Sequence, residues 1–429
     1  AKHLIQFLWH QKIFTACLIV LIGGVVYGSR NNWWIKGDIS EAQGGTDWTA
    51  FRGGSHRRGY VPARDAEDPT AADPIWEYTR EKTVYSSPTV VGNRIYSTFA
   101  DYGPFSDRGA ILCIDAKSGA EVWRYRAEGF RATFSSPSVK DDYIVSGEGL
   151  HLTDNARVIC VNRKGKRLWS HRTGSHVESS PCLYQGHAYI GAGGDGYYCI
   201  ALKPTDDGQP DIKWHLKGDR YPDCETSPIA YDGVVYFGLG LGGKAIVAVD
   251  ADPAKKGEEL WRIDTPYPVF GPPTAADGKL YIGMGNGDFV NSAEVVRSKV
   301  VVNLRKAGKS PKEIEEAAKG LGPAGEVWCI DLKKRAADPK ERVVWKYKVG
   351  RTVLGAVAIK GDHLYFGSRD KHVYCISTAG KLITRWNARS EVKTCPAVAK
   401  EHVYVVTGSG SLHCLTADTL EPAWEMRLG

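Results

Sequence analysis

The chain has 429 residues, with 56 Lys or Arg against 49 Asp or Glu, a formal charge of +7. Apolar residues at 42% and charged residues at 24% exclude wholesale disorder, and the surplus charge is too small and dispersed to suggest nucleic-acid binding. The 48 Gly, 21 Tyr and 13 Trp point instead to many short strands joined by tight turns.

Ile13 to Tyr27 is an uncharged apolar run, preceded by Lys2, Lys12 and the apolar stretch Leu4 to Trp9. Trp9, Tyr27, Trp33 and Trp34 flank it as interfacial aromatics do, and no small-x-small cleavage site follows. The expectation is a retained single-pass anchor over 1–30, with residues 4–28 in the bilayer. Both lysines precede the span, which places the N-terminus in the cytoplasm and the body on the periplasmic or extracytoplasmic side of the inner membrane. Cys17 sits in the middle of the run, where a lipoprotein signal would have to end, so lipidation is not expected. Residues 31–75 read as linker and lead-in.

From Trp76 the chain repeats itself. Trp76, Trp123, Trp169, Trp214, Trp261, Trp345, Trp386 and Trp424 are separated by 47, 46, 45, 47, 84, 41 and 38 residues. Each unit opens with a Ser-Pro-type strand start (Ser87-Pro88, Ser136-Pro137, Ser180-Pro181, Ser227-Pro228, Pro272-Pro273, Cys395-Pro396), and only the one at Gly355-Ala356-Val357 lacks proline. A turn and an aromatic strand follow, then a strand ending in Ile-Asp or its equivalent, then a turn leading to Trp; Leu112 to Trp123 is the cleanest copy. Four short strands per unit make a sheet that cannot cover both its faces alone, and radial stacking covers them. The fold class is therefore all-β, a β-propeller of seven four-stranded blades over 76–429. The strand around Trp76 is a surplus outermost strand suited to closing the ring, and Asp47 to Tyr78 is the candidate for an eighth, degenerate blade.

Cys113, Asp115, Gly119 and Trp123 carry the pattern Ala/Cys-x-Asp-x-x-x-Gly-x-x-x-Trp, with the acid kept at Asp250 and Asp331. This resembles the tryptophan-docking motif of the pyrroloquinoline-quinone-like propeller superfamily, over roughly Trp48 to Trp424. Asp47 to Gly54 resembles the lead-in of such propellers. The family includes quinone-dependent alcohol dehydrogenases and a noncatalytic outer-membrane assembly propeller, so the resemblance implies the fold and leaves the function open.

Cys113, Cys160, Cys199, Cys329, Cys375 and Cys414 hold one repeated position, with Ala248 there in the fourth unit. Equivalent positions in different blades lie too far apart for disulfides, so these read as small buried side chains. Cys182, Cys224 and Cys395 fall near the starts of innermost strands, around the central channel. The absence of C-x-x-C removes zinc-ribbon and thioredoxin readings, and the absence of C-x-x-C-H removes covalent c-type haem.

Tyr85, Phe134, Glu178, Glu225, Phe270, Leu354 and Lys393 precede the strand starts and should ring the channel mouth. Glu178 and Glu225 lie in neighbouring units and are the weak candidates for a shared cation, with two solvated carboxylates as the plainer reading. His171 with His176 shows no metal-ligand spacing. The quinone enzymes that the chain resembles carry an adjacent Cys-Cys pair, which is missing, and they imply calcium and pyrroloquinoline quinone. The Gly-rich stretches 238–243 and 283–287 are read in strand–turn–strand context, as hairpin turns rather than the strand-to-helix phosphate cradle.

The 84-residue gap contains two helical signals. Asn291 or Ser292 can cap a helix through Arg305, ending at Gly308; Ser310-Pro311-Lys312-Glu313 opens a second that stops at Gly320. Val295, Val296, Val300, Val301 and Leu304 form a stripe that packs on the second helix or the propeller wall, or else docks a partner. Such a hairpin, over 291–322, projects from one face of a repeat fold.

The combined expectation is a noncatalytic scaffold or accessory subunit, holding other membrane-protein subunits, including a transmembrane neighbour, with no cofactor or metal of its own. The alternatives are a quinone- or metal-dependent periplasmic oxidoreductase and an outer-membrane assembly factor.

Overall fold

The computed structural model describes residues 47–61, 74–78, 84–103, 106–126, 129–151 and 153–428. The expected anchor over 1–30 lies outside them, and no described helix is long and apolar enough to cross a membrane. The strands form seven sheets, each with four antiparallel strands in chain order from the channel outward, and the last gains a fifth, parallel strand (Tyr60–Val61) on its inner edge. The innermost strands are Thr89–Val91, Ser138–Lys140, Cys182–Tyr184, Ile229–Tyr231, Thr274–Ala276, Ala358–Lys360 and Ala397–Ala399, in blades 1 to 7. The described part of 47–78 adds no eighth sheet.

Seven apolar clusters hold the ring, one between each adjacent pair of blades. The repeated Cys explains their shape. Cys113, Cys160, Cys199, Cys329 and Cys414 each lie opposite the blade's Trp, as Ala248 does, and a register shift follows immediately. A small side chain there leaves room for the indole on the neighbouring strand. Blade 6 departs: Cys375 faces Thr384, and Trp386 lies opposite Val373 and packs on His413 at 4.8 Å. This Trp therefore sits two residues later than the position that its counterparts occupy.

The tryptophans also reach the next blade. Trp123 Nε1 donates to Arg163 O at 2.7 Å, Trp169 to Leu202 O at 2.8 Å and Trp345 to Thr378 O at 2.9 Å. Trp76 makes the same contact with blade 1, donating to Ala116 O at 2.9 Å over Gly119, although 74–78 form no strand. Tyr78 follows with a 2.6 Å bond to Glu121. The surplus Trp thus docks as expected at the junction of blades 7 and 1, as a strap rather than a strand.

The lead-in does more than link. Innermost strands leave N–H groups facing the channel that need partners, and residues 48–61 supply them around the whole ring. Trp48 bridges Val90; Val139, Ala230, Ala275, Ile359 and Val398 donate to the carbonyls of Thr49, Ser55, His56, Arg58 and Gly59 at 2.8, 3.3, 3.1, 3.0 and 2.9 Å. Cys182 Sγ reaches Ser55 O at 3.9 Å, and Tyr60–Val61 pairs in parallel with Ala397–Ala399. The arc carries two buried arginines. Arg57 donates to Pro228 O at 2.9 Å and Ser180 O at 3.0 Å, and Arg52 donates to Pro396 O. Gly59, at φ +61°, lies so close to the Arg52 guanidinium that a Cβ would fall 1.9 Å from Nη2. The channel is therefore plugged by the chain itself.

Helix α1 (Ala293–Lys306) is capped by Ser292, and α2 (Pro311–Ala318) by a capping box of Ser310 and Glu313. Val296, Val300, Val301 and Leu304 are half-buried, while Val295 faces solvent. The exposed groove on α1 runs through Val295, Ser298, Lys299 and Val302, so Val302 belongs to the free face and most of the expected stripe does not.

Candidate metal centre at the channel mouth

Antiparallel order puts the loops between second and third strands on the same face as the connections between blades. That face is the mouth, and the helical insertion, which joins the second and third strands of blade 5, stands on it. Tyr85 and Phe134 pack together there at 4.7 Å, and Phe270 and Leu354 are buried. The polar members of the expected ring separate into two sides.

On one side, Glu178 and Glu225 do meet, and two histidines join them. His151 comes from the 148–156 loop of blade 2, His176 and Glu178 from the connection between blades 2 and 3, and Glu225 from that between blades 3 and 4. His151 Nδ1 and His176 Nε2 each lie 3.4 Å from Glu225 Oε1, and His151 Nδ1 lies 4.0 Å from Glu178 Oε1. The two imidazole centroids are 4.9 Å apart. The backbone N–H of His151 donates to Glu178 Oε1 at 2.6 Å, and Ser175 Oγ sits 3.2 Å from His176 Nδ1. Gly193 lies under the His176 ring, where a Cβ would come within 2.8 Å.

Burial, and then the facing charge of Glu225, push the Glu178 carboxyl up to about 7. Burial pulls His176 down, but its bond to Glu225 and the charges of Glu178, Glu225 and Asp223 leave it above its ordinary value. His171 is elsewhere, 5.0 Å from the ring of Tyr198. Its pairing with His176 in sequence was uninformative because only His176 reaches the mouth.

Across the mouth is a basic side. Arg369 Nη2 lies 3.1 Å from Glu391, Arg369 donates to the carbonyls of Asp288 and Asn291, and Lys393 Nζ donates to Phe289 O at 3.1 Å. Burial, then Arg369, lower the Lys393 ammonium. Arg351 pairs with Glu294 at 2.5 and 3.0 Å, and Asn286 Nδ2 donates to Gly320 O and Gly322 O. These contacts fix the root of the hairpin to the basic side of the mouth.

The family model described as outer membrane protein assembly factor BamB matches residues 107–253 and 325–429, more than half of the chain. The chain belongs to this family of PQQ-like propellers. The unmatched stretch between those segments contains the helical insertion. The quinohemoprotein alcohol dehydrogenase ADH IIB of Pseudomonas putida is 25% identical over 198 residues, spanning 41% of this chain and 25% of that enzyme. The chain therefore matches only about a quarter of this curated relative. Among solved structures, BamB from Moraxella catarrhalis superposes with a TM-score of 0.54 at 12% identity, covering 80% of this PQQ-like chain and 88% of that one. The computationally designed Ika8 protein gives a TM-score of 0.54 at 14% identity, with 80% and 86% covered. Both show the shared fold.

The quinone and calcium implied by the dehydrogenase resemblance do not suit this PQQ-like chain. A planar quinone across the channel would have to displace the Phe51–Arg57 arc, whose Phe51 packs on Ala356 and Cys395. Two imidazoles facing two carboxylates are not the all-oxygen shell that calcium takes.

Proposed function

We propose that this PQQ-like propeller is a noncatalytic binding protein, a membrane-anchored scaffold or accessory subunit that recognises a partner on its mouth face. The observation that carries this reading is the plug: residues 48–61 run across the channel and are held to the inner strand of every blade, where a cofactor lying across the channel would compete with them. The mouth face supplies what recognition needs. It bears a helical insertion clamped by Arg351 and Arg369, and Phe289, Val290, Val295 and Val302 are exposed along it. Kinship with an assembly-factor propeller supports protein–protein recognition in general. The apolar run over 13–27 supports attachment at the inner membrane with the propeller outside the cytoplasm.

The test is extraction of the native protein in mild detergent, with the mass and composition of the particle measured. A stoichiometric assembly that loses this subunit when 291–322 is deleted supports the reading. A lone chain carrying a quinone absorption band would overturn it.

A further inference from the structure

We propose that His151, His176 and Glu225, with Glu178 beside them, form a binding site for a divalent transition ion of the zinc class, clamping the 148–156 loop of blade 2 to the connection between blades 3 and 4. Three independent features of the cluster point to a cation.

The first is spacing. Both imidazole nitrogens lie 3.4 Å from the same carboxylate oxygen. That is long for a hydrogen bond, yet metal–ligand bonds of about 2.0–2.1 Å in a tetrahedron give edges of about 3.3–3.4 Å. The candidate ligand atoms of these three residues all fall within 4.8 Å of one another. The His151 side chain is 66% exposed, so it is the ligand with most room to adjust.

The second is charge. Glu178 and Glu225 have side chains only 12% exposed and face one another, with Asp288 adding to the negative field at Glu178. Among the described residues no Lys or Arg pairs with either carboxylate; only the two imidazoles do. A bound dication removes this repulsion.

The third is orientation. Ser175 Oγ contacts His176 Nδ1 and leaves Nε2 aimed at Glu225, the outer support that ligating histidines ordinarily have. Mixed imidazole and carboxylate donors select zinc-like ions over calcium or magnesium.

The untagged full chain, stripped with chelator and dialysed in detergent, should be titrated with Zn²⁺ by calorimetry and with Co²⁺ by visible absorption. The expected result is one saturable site per chain, a Co²⁺ d–d band, and a melting temperature raised by added Zn²⁺. His151→Ala and Glu225→Gln should each weaken binding by about tenfold or more. His151→Ala should melt like the wild type without metal, because its side chain is exposed. Absence of saturable binding, binding unchanged in both variants, or a preference for Ca²⁺ over Zn²⁺ would each overturn the assignment.

Discussion

Arg57, buried at the centre of the ring, donates from Nε to the carbonyl of Pro228, 171 residues away in the chain, at 2.9 Å. A second bond from Nη2 to Ser180 O makes this one side chain a tie between blades 3 and 4 and the lead-in. Burial lowers the guanidinium to about 10, still far above neutrality, so it stays charged inside the channel. Arg57→Ala is expected to destabilise the propeller by about 3 kcal/mol, since two buried carbonyls lose a charged donor. Arg57→Lys should recover only part, because an ammonium cannot span both carbonyls. Thermal unfolding of the three proteins measures this.

Tryptophan docking makes a comparison of two glycines informative. Gly165 has φ +77° and a Cβ there would lie 2.8 Å from the Trp123 ring; Gly92 has φ +56° and open space around it. Gly92→Ala should cost only the left-handed backbone penalty, about 1–2 kcal/mol. Gly165→Ala should cost at least about 1 kcal/mol more, because it also pushes the indole off its turn. Equal losses in denaturant unfolding would mean that the docked Trp contributes no packing.

The displaced tryptophan of blade 6 should matter less than its counterparts. Trp169 is 2% exposed and bonded to Leu202 O, so Trp169→Ala is expected to cost about 3–5 kcal/mol. Trp386 is only half-buried against His413, and its removal should cost clearly less by the same measurement.

The nine described cysteines are buried thiols outside any disulfide, and burial pushes Cys113, Cys199 and Cys375 up to about 12. Native protein at pH 8 should therefore react slowly with a thiol reagent. Denaturant alone, without reductant, should release these thiols together. A requirement for reductant would reveal disulfides and overturn the reading of these positions as packing residues.

The hairpin carries its own acid sensitivity. The bond from Arg351, helped by Ser292, holds the Glu294 carboxyl down at about 2. A lowered carboxyl stabilises the docked state fully above its unfolded value near 4.5 and loses that contribution as pH falls towards 2. The pair is exposed and screened by salt, worth no more than about 1 kcal/mol. The protection factors of 293–306, taken relative to the intrinsic exchange rate at each pH, should fall across that window, and Glu294→Gln should exchange faster already at pH 7.

Much of this architecture was legible in the chain itself. The recurring Trp, the small residue opposite it and the Ser-Pro starts report a blade because a repeated sheet needs the same packing at the same place each time. The helix caps at Ser292 and Ser310 were equally local signals, since a cap involves residues within one turn. The resemblance carried by Cys113, Asp115, Gly119 and Trp123 rested on the same local repetition.

What tertiary structure alone decided was non-local. Residues 48–61 have no periodicity that announces a plug; their role exists only once seven inner edges surround them. His151, His176 and Glu225 come from three separate loops, and ring closure alone sets them around one point. Glu178 and Glu225 could be paired from their matching places in adjacent units, but His151 sits in a loop with no counterpart spacing elsewhere. The direction of the α1 stripe likewise depended on where α2 folded back. Repetition determines the blade, because local packing is written in every copy; closure determines the site, because it joins positions that no single copy relates.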